Sequence, residues 1–152
     1  MESVGLIRTD LAFCFGCLRC WTSGTGKCVS KDKMEELELK LPGRDLIIIL
    51  SPVLFGTFSS TMKTVIDKGF GNKLTDTAKI RYPQLIIGYG DDVTDEEAAC
   101  FVDLTRKHRG AADIVHPELS DVPVDVFITA SMEQNRRIAA DIEEKYLTGT
   151  AT

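Results

Sequence analysis

Hydrophobic positions along the chain follow two alternating patterns, short apolar runs and longer stretches in which apolar residues recur at helical spacing. The run over residues 45–50 has no polar alternation, which is typical of a strand covered on both faces by helices. Ser51-Pro52 is expected to end that strand, and a loop is expected over residues 53–57. With this run included, the sequence predicts five strands, over residues 3–7, 45–50, 84–88, 112–116 and 124–129.

Capping residues and apolar spacing predict helices between these strands. Ser30 is the expected cap of the first helix, and a second helix is expected over residues 58–68. Capping boxes at residues 94–97 and 131–134 begin two more helices. Because strands that are separated by helices pair in parallel, the sequence predicts an α/β sandwich.

Length and charge narrow the class of protein. The 152 residues predict one domain over residues 1–147 and a short polar tail over 148–152. The 18 basic residues against 23 acidic ones give a net charge of -5, which disfavours nucleic acid as a partner. No apolar run approaches the roughly 20 residues that span a bilayer, and the first residues do not resemble a secretory signal. We therefore expect a cytoplasmic protein without membrane association.

Four of the five cysteines crowd into one segment, as Cys14, Cys17, Cys20 and Cys28. Crowded cysteines in a chain without a signal peptide indicate metal or redox chemistry. Four thiolates suit a [4Fe–4S] cluster, whereas zinc sites more often pair two CxxC motifs at longer separation. A set of unliganded, partly buried thiols is the remaining interpretation. The fifth cysteine, Cys100, is expected to be a small core residue.

A second candidate site is the loop that follows the most hydrophobic predicted strand, over residues 51–56. Ligands of open α/β sheets bind beyond the carboxyl ends of the strands. The loop offers backbone N–H groups, one hydroxyl and apolar side chains, a mixture that suits a flat heteroaromatic ring. The alternative is an ordinary turn between a strand and a helix.

These segments combine into a recognisable order of motifs. They resemble the flavodoxin-like family of NAD(P)H-dependent FMN reductases, which includes iron–sulfur flavoproteins. The resemblance implies a three-layer sandwich with a mostly parallel sheet. The motifs that carry it are, in chain order, Cys14-x-Gly16-Cys17-x-x-Cys20-Trp21, Gly26-Lys27-Cys28, Lys31-Asp32-x-Met34, Ser51-Pro52-x-x-Phe55-Gly56 and Asp67-Lys68.

The resemblance also implies site residues and an activity. FMN would accept hydride from NAD(P)H and pass electrons to a quinone, a flavin or another acceptor. No catalytic side chain is expected, because the cofactor carries the chemistry. Cys14, Cys17, Cys20 and Cys28 match the family's cluster-ligand pattern. The residues expected along the isoalloxazine ring of FMN are Ser51, Pro52, Leu54, Phe55 and Gly56.

One departure from the family pattern changes the expectation. The family's first strand and its phosphate-binding loop have no counterpart in this sequence, although that loop would bind the FMN phosphate. The strand over residues 45–50 is then expected to have an open apolar edge, which the segment 3–7 or a second copy would cover. A homodimer is therefore predicted. Two alternatives to an FMN reductase stay open: a flavin-free interaction or regulatory subunit, and an iron–sulfur electron carrier.

Overall fold

The computed structural model describes residues 2–23, 25–41, 43–69, 83–115, 123–129 and 131–148. Its centre is one four-stranded sheet in the order β2-β1-β3-β4. The strands β1, β3 and β4 are parallel, whereas β2 returns antiparallel to the end of β1. The bounds of the strands are Ile47–Leu54 for β1, Thr57–Phe58 for β2, Gln84–Tyr89 for β3 and Val124–Thr129 for β4.

Helices connect the strands and cover both faces of the sheet. On one face, α3 and α4 enclose the main core, in which the Phe58 and Phe101 rings lie 4.6 Å apart. On the other face, α5 packs against β4 through the buried Ile138. The helices are α1 (Arg19–Thr22), α2 (Lys33–Lys40), α3 (Ser60–Gly69), α4 (Asp95–Val115) and α5 (Met132–Ile142), which continues as a π-helix over Glu143–Thr148.

The predicted α/β sandwich with a mostly parallel sheet is thus confirmed. Three of the five predicted strands are present, over residues 45–50, 84–88 and 124–129, with shifts at their ends. The predicted capping box of α4 is present, since the Thr94 N–H donates to Glu97 Oε2 and the Glu97 N–H donates to Thr94 Oγ1. At α5, Ser131 is the cap and accepts from the N–H of Gln134. No helix among the described residues is long and apolar enough to cross a membrane.

Two predicted strands are wrong. Residues 3–7 have no strand partner in the described part of the chain and lead into a 3-10 turn over Arg8–Asp10. Side chains of the α2 region hold this segment instead, since Lys33 Nζ donates to Gly5 O at 3.2 Å and Arg44 pairs with Glu2. Residues 112–115 belong to α4, because helical hydrogen bonding continues past the predicted helix end. The predicted end of that strand, at residue 116, lies outside the described residues.

The strand β1 continues through Ser51-Pro52, contrary to the prediction that it ends there. Ile47 donates its N–H to Pro83 O at 2.9 Å, on the β3 side. Backbone groups alternate sides along a strand, so Ser51 also faces β3 while Pro52 faces the outer edge. A proline at that edge removes no ladder hydrogen bond, and the strand is free to continue.

The first helix also differs from the prediction at its start. Asp32, not Ser30, caps α2, since its carboxylate accepts from the N–H of Met34 at 3.1 Å. An aspartate at this position satisfies an orphan N–H and places negative charge at the positive end of the helix.

The expectation that helices cover both faces of β1 is wrong. Ile48 and Leu50 point to the α5 side and keep 42% and 65% of their surface exposed. The helix α5 reaches Leu50 only across an open cavity, and β2 pairs only with Val53 and Leu54 among the described residues. The outer edge of β1 from Ile48 to Pro52 therefore has no partner strand in the described part of the chain.

Candidate functional site

The candidate ring-binding residues lie at the carboxyl edge of the sheet, where β1 turns back into β2. The turn consists of Phe55 and Gly56, which both have positive φ, 51° and 71°. A two-residue turn with two left-handed residues is the geometry that matches the twist of paired strands. Phe55 is 94% exposed in a conformation that side chains rarely adopt, so the fold holds an aromatic ring in solvent at some cost.

Ser51 is buried and fastens β1 to the start of α3. Its Oγ donates to Pro52 O at 3.1 Å and accepts from the N–H of Ser59 at 3.3 Å. Only 1% of the residue is exposed. In this arrangement the Ser51 hydroxyl shapes the loop, and the exposed contact groups are those of Leu54 and Phe55.

Gly56 is buried where the turn meets α4. A Cβ at this position would lie 2.9 Å from Cys100 Cβ and 3.1 Å from Cys100 Sγ. Glycine is therefore required both for the positive φ and for the close approach to α4. Cys100 is exposed, so the expectation that it is a core residue is wrong. Its side-chain atoms Cβ and Sγ nevertheless lie against the turn.

A neighbouring loop that the sequence reasoning missed completes this edge. Tyr89, the last residue of β3, is paired in register with Pro52 and is 45% exposed. A Cβ on Gly90 would lie 2.8 Å from Val93 Cγ2 and 3.9 Å from the carbonyl oxygen of Val53. The turn after β3 thus packs beside the end of β1. The sequence contained the signal, because this turn also follows a buried-type apolar run.

The face that α5 covers contains a cavity of about 500 Å³. Apolar side chains form its floor, and polar residues at the carboxyl ends of β3 and β4 form its rim. None of the five candidate ring-binding residues lines this cavity. Its walls include Leu50, Ile87, Tyr89, Thr129, Ser131 and Ile138.

All four clustered cysteines are free thiols, with Cys14 and Cys17 exposed and Cys20 and Cys28 half-buried. Burial raises the pKa of the Cys20 thiol, and the charges of Cys28, Cys14 and Cys17 raise that pKa further. The other three thiols are therefore near enough to Cys20 to affect its pKa. Among the described residues, however, no three His, Cys, Asp or Glu side chains stand close enough together to hold a metal ion. Four cysteine thiols are the usual ligands of an iron–sulfur cluster, but in this structure they lie too far apart to hold one.

The fold and the carboxyl-edge turn define a class, the flavodoxin-like α/β proteins. Within that class, residues 7–80, just under half of the chain, match the family of NADPH-dependent FMN reductases, a match that the resemblance predicted.

Two relatives carry the name iron–sulfur flavoprotein. The one from Archaeoglobus fulgidus is 29% identical over 114 residues, which cover 75% of this chain and 51% of the relative. The one from Methanocaldococcus jannaschii is 36% identical over 67 residues, or 44% of this chain and 34% of the relative. The chain thus spans about half the length of the first relative and a third of the second. No solved structure matches the chain.

Proposed function

We propose that the chain binds FMN through its isoalloxazine ring at the Ser51–Gly56 turn and works as an NAD(P)H-dependent flavin oxidoreductase. The observation that carries the proposal is the exposed, left-handed Phe55 at the carboxyl edge of β1. A fold that maintains an exposed aromatic ring in a costly conformation does so where the ring has a use. The family match supports the same assignment.

The chain's contribution is to hold and orient the ring. Leu54 and Phe55 present apolar surface, and the backbone of the tight turn presents N–H groups. Pro52 and Tyr89 lie side by side and extend this surface onto β3. Bound flavin supplies the redox chemistry, accepting hydride and passing electrons on. NAD(P)H is the proposed donor, and a quinone, a flavin or another small molecule or protein is the acceptor.

Replacement of the exposed ring tests the site. Phe55→Asn removes the aromatic surface while keeping a residue that tolerates positive φ. We expect FMN to bind about 5- to 150-fold more weakly to this variant, measured by quenching of flavin fluorescence, since a stacked ring contributes about 1–3 kcal/mol and 1.4 kcal/mol is tenfold. The matched control is Leu39→Asn, at a position on α2 that is 74% exposed, which should leave the affinity unchanged.

Equal affinity of the Phe55→Asn and Leu39→Asn variants would reject the assignment of the ring to this turn. A wild-type chain that binds no flavin would favour the flavin-free interaction or regulatory subunit. Where flavin binds, anaerobic mixing with NADH or NADPH should bleach its absorbance. Persistence of the oxidised spectrum with both nucleotides would exclude them as donors.

The cysteine segment supports a second candidate, a [4Fe–4S] cluster held by Cys14, Cys17, Cys20 and Cys28. Its support is the donor set of four cysteines in one segment and the printed name of the two relatives, iron–sulfur flavoprotein. The four free thiols suit a reducing compartment such as the cytoplasm. Anaerobic reconstitution should then give about four iron and four sulfide per chain. Cys20→Ser should abolish the cluster, and Cys100→Ser should not.

The open edge of β1 supports a homodimer. The backbone groups of Ile47 face β3, and successive residues of a strand face opposite sides. The backbone N–H and C=O groups of Ile48 and Leu50 therefore point to the outer edge. Two copies of β1 can pair antiparallel, with Ile48 of one copy opposite Leu50 of the other. This pairing is self-complementary, as a two-fold interface requires, and Pro52 limits its length because it has no N–H to donate.

A proline substitution shows whether the proposed dimer is held by backbone hydrogen bonds along β1 or by side-chain contacts. Leu50→Pro removes an outward N–H and leaves the β1–β3 ladder intact, so the variant should fold and be monomeric by light scattering. Leu50→Ala keeps the N–H and should still pair. A monomeric wild-type chain, or a dimer that survives Leu50→Pro, would reject this edge as the interface.

A further inference from the structure

A buried carboxylate next to the cysteine segment makes contacts that the proposed cofactor sites do not use. Asp32 caps α2 through Oδ1, while its Oδ2 accepts from the N–H of Ala12 at 2.8 Å and from Lys68 Nζ. The Lys68 side chain is completely buried, and 10% of the Asp32 side chain is exposed. One carboxylate thus joins three separate parts of the chain.

The position of these contacts along the chain is informative. Ala12 precedes Cys14 by two residues, and Asp32 follows Cys28 by four, so the bond between them closes a loop that contains all four clustered cysteines. Within this loop, termed here the cysteine loop and comprising residues 13–31, the described helical structure is the single turn of α1. A loop with so little regular structure takes its conformation largely from the contacts that join its ends.

Lys68 connects this closure to the rest of the fold. It lies in the last turn of α3, and the first turn of α3 follows the residues that Ser51 fastens. An ammonium group is stable in a buried position only when it is paired. The buried ammonium group of Lys68 therefore holds the Asp32 carboxylate beside α3, and this carboxylate in turn holds the backbone N–H of Ala12. A second, more exposed pair, Lys33 with Asp10, lies just outside the loop.

We propose that Asp32 and Lys68 are positioning residues that close the cysteine loop onto α3, so that the conformation of the four thiols depends on this ion pair. The proposal concerns the metal-free chain and goes beyond the proposed cluster. If the proposed cluster also forms, the Asp32–Lys68 pair affects how easily the four thiols reach positions from which they can bind it. Variants that remove one or both charges of the pair distinguish an effect on the cysteine loop from a loss of stability of the whole fold.

The test is backbone amide exchange of the metal-free, full-length chain, measured by NMR or mass spectrometry. Lys68→Met leaves Asp32 without its cation, and Asp32→Asn leaves Lys68 without its anion. The double variant Asp32→Asn with Lys68→Met removes both charges and avoids an unpaired buried charge, so it keeps the test valid where a single variant does not fold. The matched control is Lys63→Met, on the same helix, which breaks an exposed pair with Asp67.

We expect the Ala12 amide and the amides of the cysteine loop to exchange at least about tenfold faster in the double variant, with β3 and β4 unchanged. The control should match the wild-type chain throughout. Unchanged exchange at Ala12 would overturn the proposal, and so would an equal acceleration in β3 and β4, which marks a loss of global stability. Iron loading is a separate measurement, and its failure in the wild-type chain would reject the cluster without affecting this result.

Discussion

Gly56 gives the most quantitative test of the geometry at the candidate ring-binding turn. A methyl group at this position meets two separate penalties. The positive φ of 71° costs about 1–2 kcal/mol for a residue with a Cβ. The contact with Cys100 Cβ at 2.9 Å adds about 1–3 kcal/mol of overpacking, because α4 is held by the core around Phe101. Gly56→Ala should therefore lower the free energy of unfolding by about 2–5 kcal/mol.

Gly43 provides the matched control. Its φ is 76°, and a Cβ there would have no heavy atom within 4 Å. Gly43→Ala should lose only the conformational part, about 1–2 kcal/mol. Urea unfolding followed by circular dichroism measures both variants. The difference between them is the packing contribution of α4 against the turn.

A second substitution isolates that contribution. Cys100→Gly removes both atoms that the new methyl group would meet, at an intrinsic helix cost of about 1 kcal/mol. In a double-mutant cycle, Cys100→Gly should therefore recover at least about 1 kcal/mol of the Gly56→Ala loss. Equal losses for Gly56→Ala and Gly43→Ala, with no coupling to position 100, would refute the close approach of the turn to α4.

Three further predictions concern hydrogen bonds and titrating groups. Ser51→Ala leaves two half-buried backbone groups, Pro52 O and the Ser59 N–H, without their partner and should cost about 1–3 kcal/mol in urea unfolding. Burial raises the pKa of Asp32, but the hydrogen bonds to its carboxylate outweigh burial and hold the pKa below its usual value. The carboxylate therefore contributes stability at neutral pH, and this contribution is lost as acid protonates Asp32. Lys68→Met should reduce this loss of stability in acid, measured by thermal melts. Burial, together with a hydrogen bond to a carboxylate, raises the pKa of Tyr146 to about 12, so stability should fall as pH rises from 10 toward 12, and Tyr146→Phe should flatten that dependence.

Prediction from the sequence succeeded where local patterns and tertiary structure agree. The apolar runs that became β3 and β4 are covered by helices, so composition alone indicated them. The capping residues Thr94 and Ser131 bond within one helical turn, and such contacts depend on neighbours in sequence only.

Prediction failed where a distant partner decides the structure. Residues 3–7 have the apolar content of a strand but pair with no strand that the structure describes, and a strand requires a partner. Pro52 was expected to end β1, but its effect depends on which side of the strand it faces, and pairing with β3 determines that side. Asp32 replaced Ser30 as the helix cap because it also bonds Ala12 and Lys68, twenty and thirty-six residues away.

The candidate site was predictable in the same uneven way. The sequence located the turn at the end of β1 and its Gly56, yet the Cys100 contact depends on packing between two elements far apart in the chain. Tyr89 was missed because its position beside Pro52 follows from the register between β1 and β3. The arrangement of the four thiols depends on a loop with little regular structure, about which spacing alone carries limited information.

The central claim is that flavin binds at the β1 turn, and a chemical-shift map of the labelled chain titrated with FMN tests it most directly. The account predicts that the largest backbone amide shifts occur at Leu54, Phe55 and Gly56, which do not line the cavity beneath α5. The cavity residues Ile87 and Ile138 should change little. Shifts confined to the cavity beneath α5, or no saturable shifts anywhere, would contradict the claim.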